Sequence, residues 1–228
     1  MPFTDRSAMN YDTMRESKEK KKKRAQEVIK RLKKYYPDAH CALDHSTPEE
    51  LLIATILSAQ CTDERVNIVT KSLFKKYPSL KHFASADINE LEQDVKPTGF
   101  YKNKAKNIKA CAQKLLTEFK GELPKTIDEM TSLAGVGRKT ANVVLGNSFN
   151  ISSGVVVDTH VRRLSQRLEF TKKDNPVLIE KELCELIDKK HWIMFSHWLI
   201  FHGRQVCKAR KPKCTTCFLD DICPSYRE

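Results

Sequence analysis

The chain is poor in the residues that build sheets and tight turns. Only seven of its 228 residues are glycine, and β-branched residues seldom alternate with polar ones. That pattern excludes a sheet-rich fold, which needs period-two alternation and frequent turn signals. The best strand candidate, Gly154-Val155-Val156-Val157, is short and alone. No apolar run reaches the roughly 18–20 residues of a membrane-spanning helix. The opening stretch, MPFTDRSAMNYDTMRESKEK, lacks the apolar centre of a secretory signal. These absences predict a reducing compartment, no membrane and no lasting disulfides. Acidic residues are in deficit too: 29 Asp and Glu face 41 Lys and Arg, a net charge of +12. An excess of that sign suits a polyanionic partner, nucleic acid first and acidic membrane second.

What the chain does have is helical periodicity. In 49–60, Leu52, Ile53, Ile56 and Leu57 form one stripe, with Pro48 at a helix start. Similar stripes occupy 62–76, 87–95, 103–119, 126–134, 138–148, 159–168, 176–189 and 192–201. The spacing predicts an all-α protein of nine or ten helices. Residues 1–16 are polar and aperiodic, which predicts a disordered tail. Residues 17–34 carry ten basic residues against two acidic ones, with Val28, Ile29 and Leu32 at helical spacing. They read as a lysine-rich run, Lys20–Lys23, entering an amphipathic helix. The run is a solvated face or a nuclear address.

Eight cysteines are unevenly spread. Cys41, Cys61, Cys111 and Cys184 stand singly among apolar neighbours and read as small buried hydrophobes. Cys207, Cys214, Cys217 and Cys223 follow the spacing C-x6-C-x2-C-x5-C. Four thiolates suit zinc or an iron–sulfur cluster. One Cys-x-x-Cys pair, with no histidine in the run, leaves iron–sulfur modestly ahead. Lys208, Arg210, Lys211 and Lys213 crowd the loop between the first two cysteines and offer a cationic finger to phosphate.

Residues 133–145, LAGVGRKTANVVL, join two helical stripes through Gly135-Val136-Gly137. Glycines allow a tight turn and bare the amides that open the second helix, at the positive end of its dipole. Such a turn binds phosphate. Lys139 falls in the first turn of that helix, where the dipole and Arg138 disfavour its ammonium form. A neutral amine is a nucleophile able to form a Schiff base; the competing reading is a phosphate contact. Nineteen residues on, Val155-Val156-Val157-Asp158-Thr159-His160 delivers an aspartate to a helix start. Asp158 reads as an N-cap worth roughly 1 kcal/mol, or as a carboxylate that stabilises developing positive charge.

The string Leu133, Gly135, Val136, Gly137, Thr140 and Ala141 resembles the helix-hairpin-helix of base-excision DNA glycosylases, with Ala134 where proline is frequent. Gly-Val-Gly-x-Lys followed by Val-Asp-Thr-His resembles the endonuclease III family, over about residues 25–225. The resemblance implies a two-domain helix-hairpin-helix glycosylase fold, a six-helix bundle plus an iron–sulfur cluster domain. The implied division is a tail at 1–16, an N-terminal helix at 17–39 belonging to the cluster domain, a bundle at 40–150 and the cluster domain at 151–228. Lys139 would be the nucleophile and Asp158 its essential partner. Gly135, Val136, Gly137 and Arg138 would hold the DNA backbone. The four terminal cysteines would hold a [4Fe–4S] cluster.

The family pattern also implies that Gln60 fills the space of the extruded base and lines the pocket with Asp63. Phe100 stands where a leucine commonly wedges the opposite strand; core packing is its alternative, as a helix cap is for Asp63. The implied activity is a bifunctional DNA glycosylase and apurinic/apyrimidinic lyase. It would act as a monomer on double-stranded DNA bearing oxidised pyrimidines or abasic sites, in a bacterial cytoplasm at the nucleoid or in a nucleus. A monofunctional mismatch or adenine glycosylase and a non-catalytic DNA-binding or damage-sensing protein are the competing functions. Lys139 speaks against the first, and the Lys139–Asp158 pair against the second.

Overall fold

The computed structural model describes residues 16–226. The tail expected at 1–16 therefore lies outside the described residues except for Glu16, whose carboxylate accepts from Arg24 Nη2 at 2.7 Å. Helix α1 (Lys18–Tyr35) buries Ala25, Val28, Ile29 and Leu32 and turns Lys20, Lys22 and Lys23 to solvent. Thr47 caps α2 (Pro48–Leu57), accepting from the Glu50 amide, while Glu50 accepts from the Ser46 amide at 2.6 Å. Two amides that a helix start leaves unpaired are thereby satisfied.

Every residue from Leu51 to Leu57 is buried, so α2 is the axis of a first core. Around it pack α3 (Asp63–Lys76), α4 (Leu80–Ser85), α5 (Ile88–Val95), α6 (Tyr101–Glu118), α7 (Ile127–Thr131) and α8 (Arg138–Phe149). Helix α4 was not foreseen. Its six residues bury only Leu80 and Phe83, less than one full helical repeat of signal. A second core joins α1 to α9 (Thr159–Arg167), α10 (Pro176–Leu186) and α11 (Trp192–Gln205). Residues 154–157 run extended, with Val155 and Val157 in that second core; among the described residues there is no β-strand. None of the described helices is long and apolar enough to cross a membrane. Of the four single cysteines expected to be buried, only Cys111 is; Cys41, Cys61 and Cys184 are half-buried.

A polar seam joins the two cores. Glu180 of α10 is buried, 8 % exposed, and accepts from Arg138 Nε and Nη2, each at 3.1 Å, and from Asn142 Nδ2 at 3.0 Å. Ser153 Oγ donates to Asn142 Oδ1 at 2.8 Å, which holds that amide in register. Gly154 lies so close that a Cβ there would stand 2.0 Å from Glu180 Oε1. Further along, His197 Nε2 lies 2.9 Å from Asn147 Oδ1. Asn147 Nδ2 already donates to the Val143 carbonyl, so its oxygen faces the ring and the proton sits on Nε2. Arg204 of α11 reaches back to Asp63 of α3, at 2.5 Å.

Gly154→Ala will cost about 1–3 kcal/mol through overpacking. Because the closest clash is with the Glu180 carboxylate, with Asn142 Nδ2 next at 2.8 Å, the double variant Gly154→Ala/Glu180→Ala will be less destabilised than the two single losses added together. Urea unfolding of all three proteins measures this, and strict additivity would sink the assigned contact. A second expectation concerns acid. Burial pushes the His197 imidazole down to about 4, from 6.5 in the unfolded chain. Between those values the unfolded state binds the extra proton. Stability owed to His197 is therefore complete above about pH 6.5 and is lost as pH falls towards 4. His197→Gln will show a flatter decline of unfolding midpoint over that window; an unchanged slope would contradict the burial.

Candidate active site

The hairpin turn occupies 132–137, between α7 and α8. Gly135 is left-handed, φ +76°, and a Cβ there would meet Asn107 Cβ at 2.9 Å. Val136 is buried in the first core and anchors the turn, its amide donating to the Leu133 carbonyl at 3.1 Å. Gly137 caps α8 with ordinary extended backbone and no side-chain hydrogen bond. A Cβ at Gly137 would meet nothing within 4 Å. Gly135 is thus demanded by the turn itself, while Gly137 leaves the first amides of α8 open to an outside anion.

Lys139 is exposed and stands at the mouth of a cavity of about 260 Å³ between the two cores. Asp158 lines the same cavity from the second core, where the segment following α8 meets α9. Its Oδ1 accepts from the Val161 amide at 2.7 Å, so the expected N-cap exists. The cap and the cavity position coincide in one residue. Gln60 and Asp63 enter the lining from the first core, Gln60 just beyond α2 and Asp63 opening α3. Asp63 is held by Arg204, which also lines the cavity.

At three positions the structure bears on the alternatives the sequence left open. Arg138 was expected on phosphate beside Gly137, but its guanidinium lies along Glu180, whose hydrogen bonds raise its proton affinity. Phe100 is 63 % exposed in the left-handed region, φ +47°, so core packing does not account for it. Asp63 lies in the first turn of α3, and the cap itself is Thr62. Glu180, Asn142, His197 and Arg204 were missed. Glu180 alone carried a signal, as an acidic residue beside Ile179 on the buried side of α10.

The terminal cysteines surround a separate cavity of about 200 Å³, walled by Leu164, Leu168, Val206 and Leu219. Burial pushes the Cys217 thiol up to about 11, so the bare thiol keeps its proton and only bound cationic charge makes it a thiolate. Among the described residues no three His, Cys, Asp or Glu side chains converge as one metal ion requires. Four thiols spread around one cavity suit a [4Fe–4S] cluster, in which each iron takes its own cysteine. One positive donor already faces a sulfur: Arg167 Nη1 lies 3.1 Å from Cys207 Sγ. Arg167 also donates to the carbonyls of Lys208 and Ala209, and Arg163 to those of Gly203 and Cys207. These bonds pin the backbone of the basic loop while Lys208, Arg210, Lys211 and Lys213 point to solvent.

Comparison with known proteins agrees with this geometry. Residues 53–189 match the HhH-GPD superfamily of base excision DNA repair proteins, and residues 207–223 match the iron–sulfur binding domain of endonuclease III. The chain is 54 % identical to endonuclease III of Synechocystis sp. over 205 residues, 90 % of this chain and 94 % of that protein. It is 46 % identical to endonuclease III of Bacillus subtilis, over 82 % of this chain and 86 % of that one. A solved structure of a non-covalent endonuclease III–DNA complex superposes with TM-score 0.84 at 44 % identity, covering 90 % of this chain and 95 % of that chain. A trapped endonuclease III–DNA covalent intermediate superposes with the same TM-score and identity. The chain is an all-α member of the endonuclease III family, a base excision repair DNA glycosylase that carries a [4Fe–4S] cluster.

Proposed function

We propose that Lys139 and Asp158 are the catalytic pair of a bifunctional glycosylase and lyase acting on oxidised pyrimidines in double-stranded DNA. The observation that carries this reading is their presence in one cavity, one from each core. Lys139 Nζ, having lost its proton, attacks C1′ of the damaged nucleotide. The N-glycosidic bond breaks and the base leaves with its electron pair, taking a proton from solvent. The Asp158 carboxylate stabilises the positive charge that develops on the sugar. Opening of the ring leaves a protonated Schiff base between Nζ and C1′. Loss of a proton from C2′ then expels the 3′ phosphate by β-elimination, and water releases Lys139. An abasic site enters the same sequence at the Schiff base.

The remaining roles follow from position. The amides after Gly137 and the exposed cations of the basic loop grip phosphate without reading sequence. Gln60 fills the vacated stack, Phe100 wedges the opposite strand, and Asp63 borders the pocket. Cys207, Cys214, Cys217 and Cys223 hold the cluster, which when bound supplies four iron–thiolate bonds that close the terminal loops. Neither bond-breaking step transfers an electron, which makes the cluster's part structural. A single chain carries every role, so the enzyme acts as a monomer, at the nucleoid of a bacterium.

Borohydride trapping on a thymine-glycol duplex tests the nucleophile. Wild type will give a covalent adduct and Lys139→Ala none; equal trapping by the variant would end the lysine assignment. Asp158→Asn separates the two roles of Asp158. Asparagine caps a helix as well as aspartate does, so stability will change by less than about 1 kcal/mol. Single-turnover base release will nevertheless fall by about 10²–10³-fold. A variant that is unstable but turns over normally would make Asp158 a cap and nothing more.

A further inference from the structure

The molecule buries one lysine that the mechanism above does not use. Lys104 of α6 is 4 % exposed. Its Nζ donates to the carbonyl of Leu57 at 2.8 Å and to that of Thr98 at 2.8 Å. Leu57 closes α2, and Gln60 follows three residues later. Thr98 closes the 3-10 turn 96–98, and Gly99 and Phe100 follow at once. One ammonium group therefore ties together the roots of two loops whose tips are Gln60 and Phe100.

We infer that Lys104 is a positioning residue that couples these two tips, so that Gln60 and Phe100 enter the duplex as one rigid unit. The inference rests on the base-filling and wedging roles proposed for them. Both tips are exposed and left-handed, with φ of +53° at Gln60 and +47° at Phe100. A non-glycine residue in that region costs about 1–2 kcal/mol, and the surroundings must hold it there. Neither tip has packing of its own that would do so. Lys104 Nζ instead holds each loop at a carbonyl two or three residues before its tip, and the Lys104 backbone amide donates to the Phe100 carbonyl at 3.1 Å. The Leu57 carbonyl also lies at the negative end of α2, which favours a cation. A buried ammonium is costly, and burial lowers its proton affinity. A methionine would fill the same space more cheaply, so the charge needs a purpose beyond filling the core.

A double-mutant cycle tests the coupling. Base release from a thymine-glycol duplex is measured in single turnover for Gln60→Ala, Phe100→Ala and the double variant, in wild type and in Lys104→Met. Coupled tips predict that in wild type the double variant departs from the product of the single effects by about fivefold. In Lys104→Met the single effects will multiply independently. Lys104→Met itself will slow base release from the paired lesion more than strand nicking at a ready-made abasic site, where no base has to be extruded. If neither tip variant slows the wild-type enzyme, the wedge roles fail and the coupling falls with them. If both slow it and their effects multiply, the wedge roles stand and the coupling alone is overturned; this result needs no Lys104 variant. Coupling that persists in Lys104→Met removes Lys104 from it. Circular dichroism checks the fold, and Lys104→Leu, which also removes both donated bonds, replaces the methionine variant if that protein does not fold.

Discussion

The site depends first on one buried carboxylate. Glu180 enters the seam between the two cores and receives Arg138 and Asn142, four residues apart on α8. Residues at that spacing share a face of a helix, and the next residue stands about 100° around. Gripping α8 through Arg138 and Asn142 therefore sets its rotation and turns Lys139 away from Glu180, into the cavity. Burying a carboxylate is unfavourable unless it is fully hydrogen-bonded. Glu180 meets that condition with three donor contacts, and Gly154 keeps clear the space they need. The same contacts bring segment 150–158, and with it Asp158, to the other side of the cavity. Relative placement of Lys139 and Asp158 is thus a property of the seam rather than of either core.

This seam is also where the sequence was least legible. Ten of the eleven α-helices among the described residues announce themselves by apolar spacing, and α4 fails only because it offers two buried residues. Lys139, Asp158 and the cysteines sit in local patterns that a reader of one dimension can find. Arg204 and Asp63 are separated by 141 residues, and Glu180 and Arg138 by 42. Nothing local marks a charged residue as the partner of a distant one. Arg138 shows the consequence: beside Gly137 in sequence it reads as a phosphate ligand, whereas in space it serves Glu180. Phe100 left two readings open, wedge and core, because whether an aromatic residue is buried depends on a left-handed, exposed backbone that no local pattern marks.

The C-terminal segment could not fold by hydrophobic burial. Within 207–226 only Leu219 is buried. So short a stretch lacks the apolar surface to offset its chain entropy, and metal binding then supplies folding free energy directly. Arg163 and Arg167 sit four residues apart on α9 and turn one face towards that segment, with donors to loop carbonyls and to Cys207 Sγ. Cluster and arginines together hold a loop carrying Lys208, Arg210, Lys211 and Lys213 in one shape. Without them those four cations would repel one another and spread. A cationic loop held rigid loses less entropy on meeting phosphate than a free one.

The two hairpin glycines separate what the fold requires from what a ligand requires. At Gly135 both the positive φ and the nearness of Asn107 forbid a side chain, so the residue is explained within the chain. At Gly137 neither constraint applies: the backbone is extended and the space in front is open. Its missing Cβ has no internal purpose. It lets something outside come close to the bare amides of α8, at the end where the helix dipole attracts an anion. Lys139 lies two residues further on, so whatever docks at Gly137 is registered against its amine. In the proposed mechanism, a phosphate held there would bring the neighbouring sugar towards Nζ before any base is recognised. On the proposed assignment, backbone grip and nucleophile are set by one helix end, and lesion choice is left to the groups across the cavity.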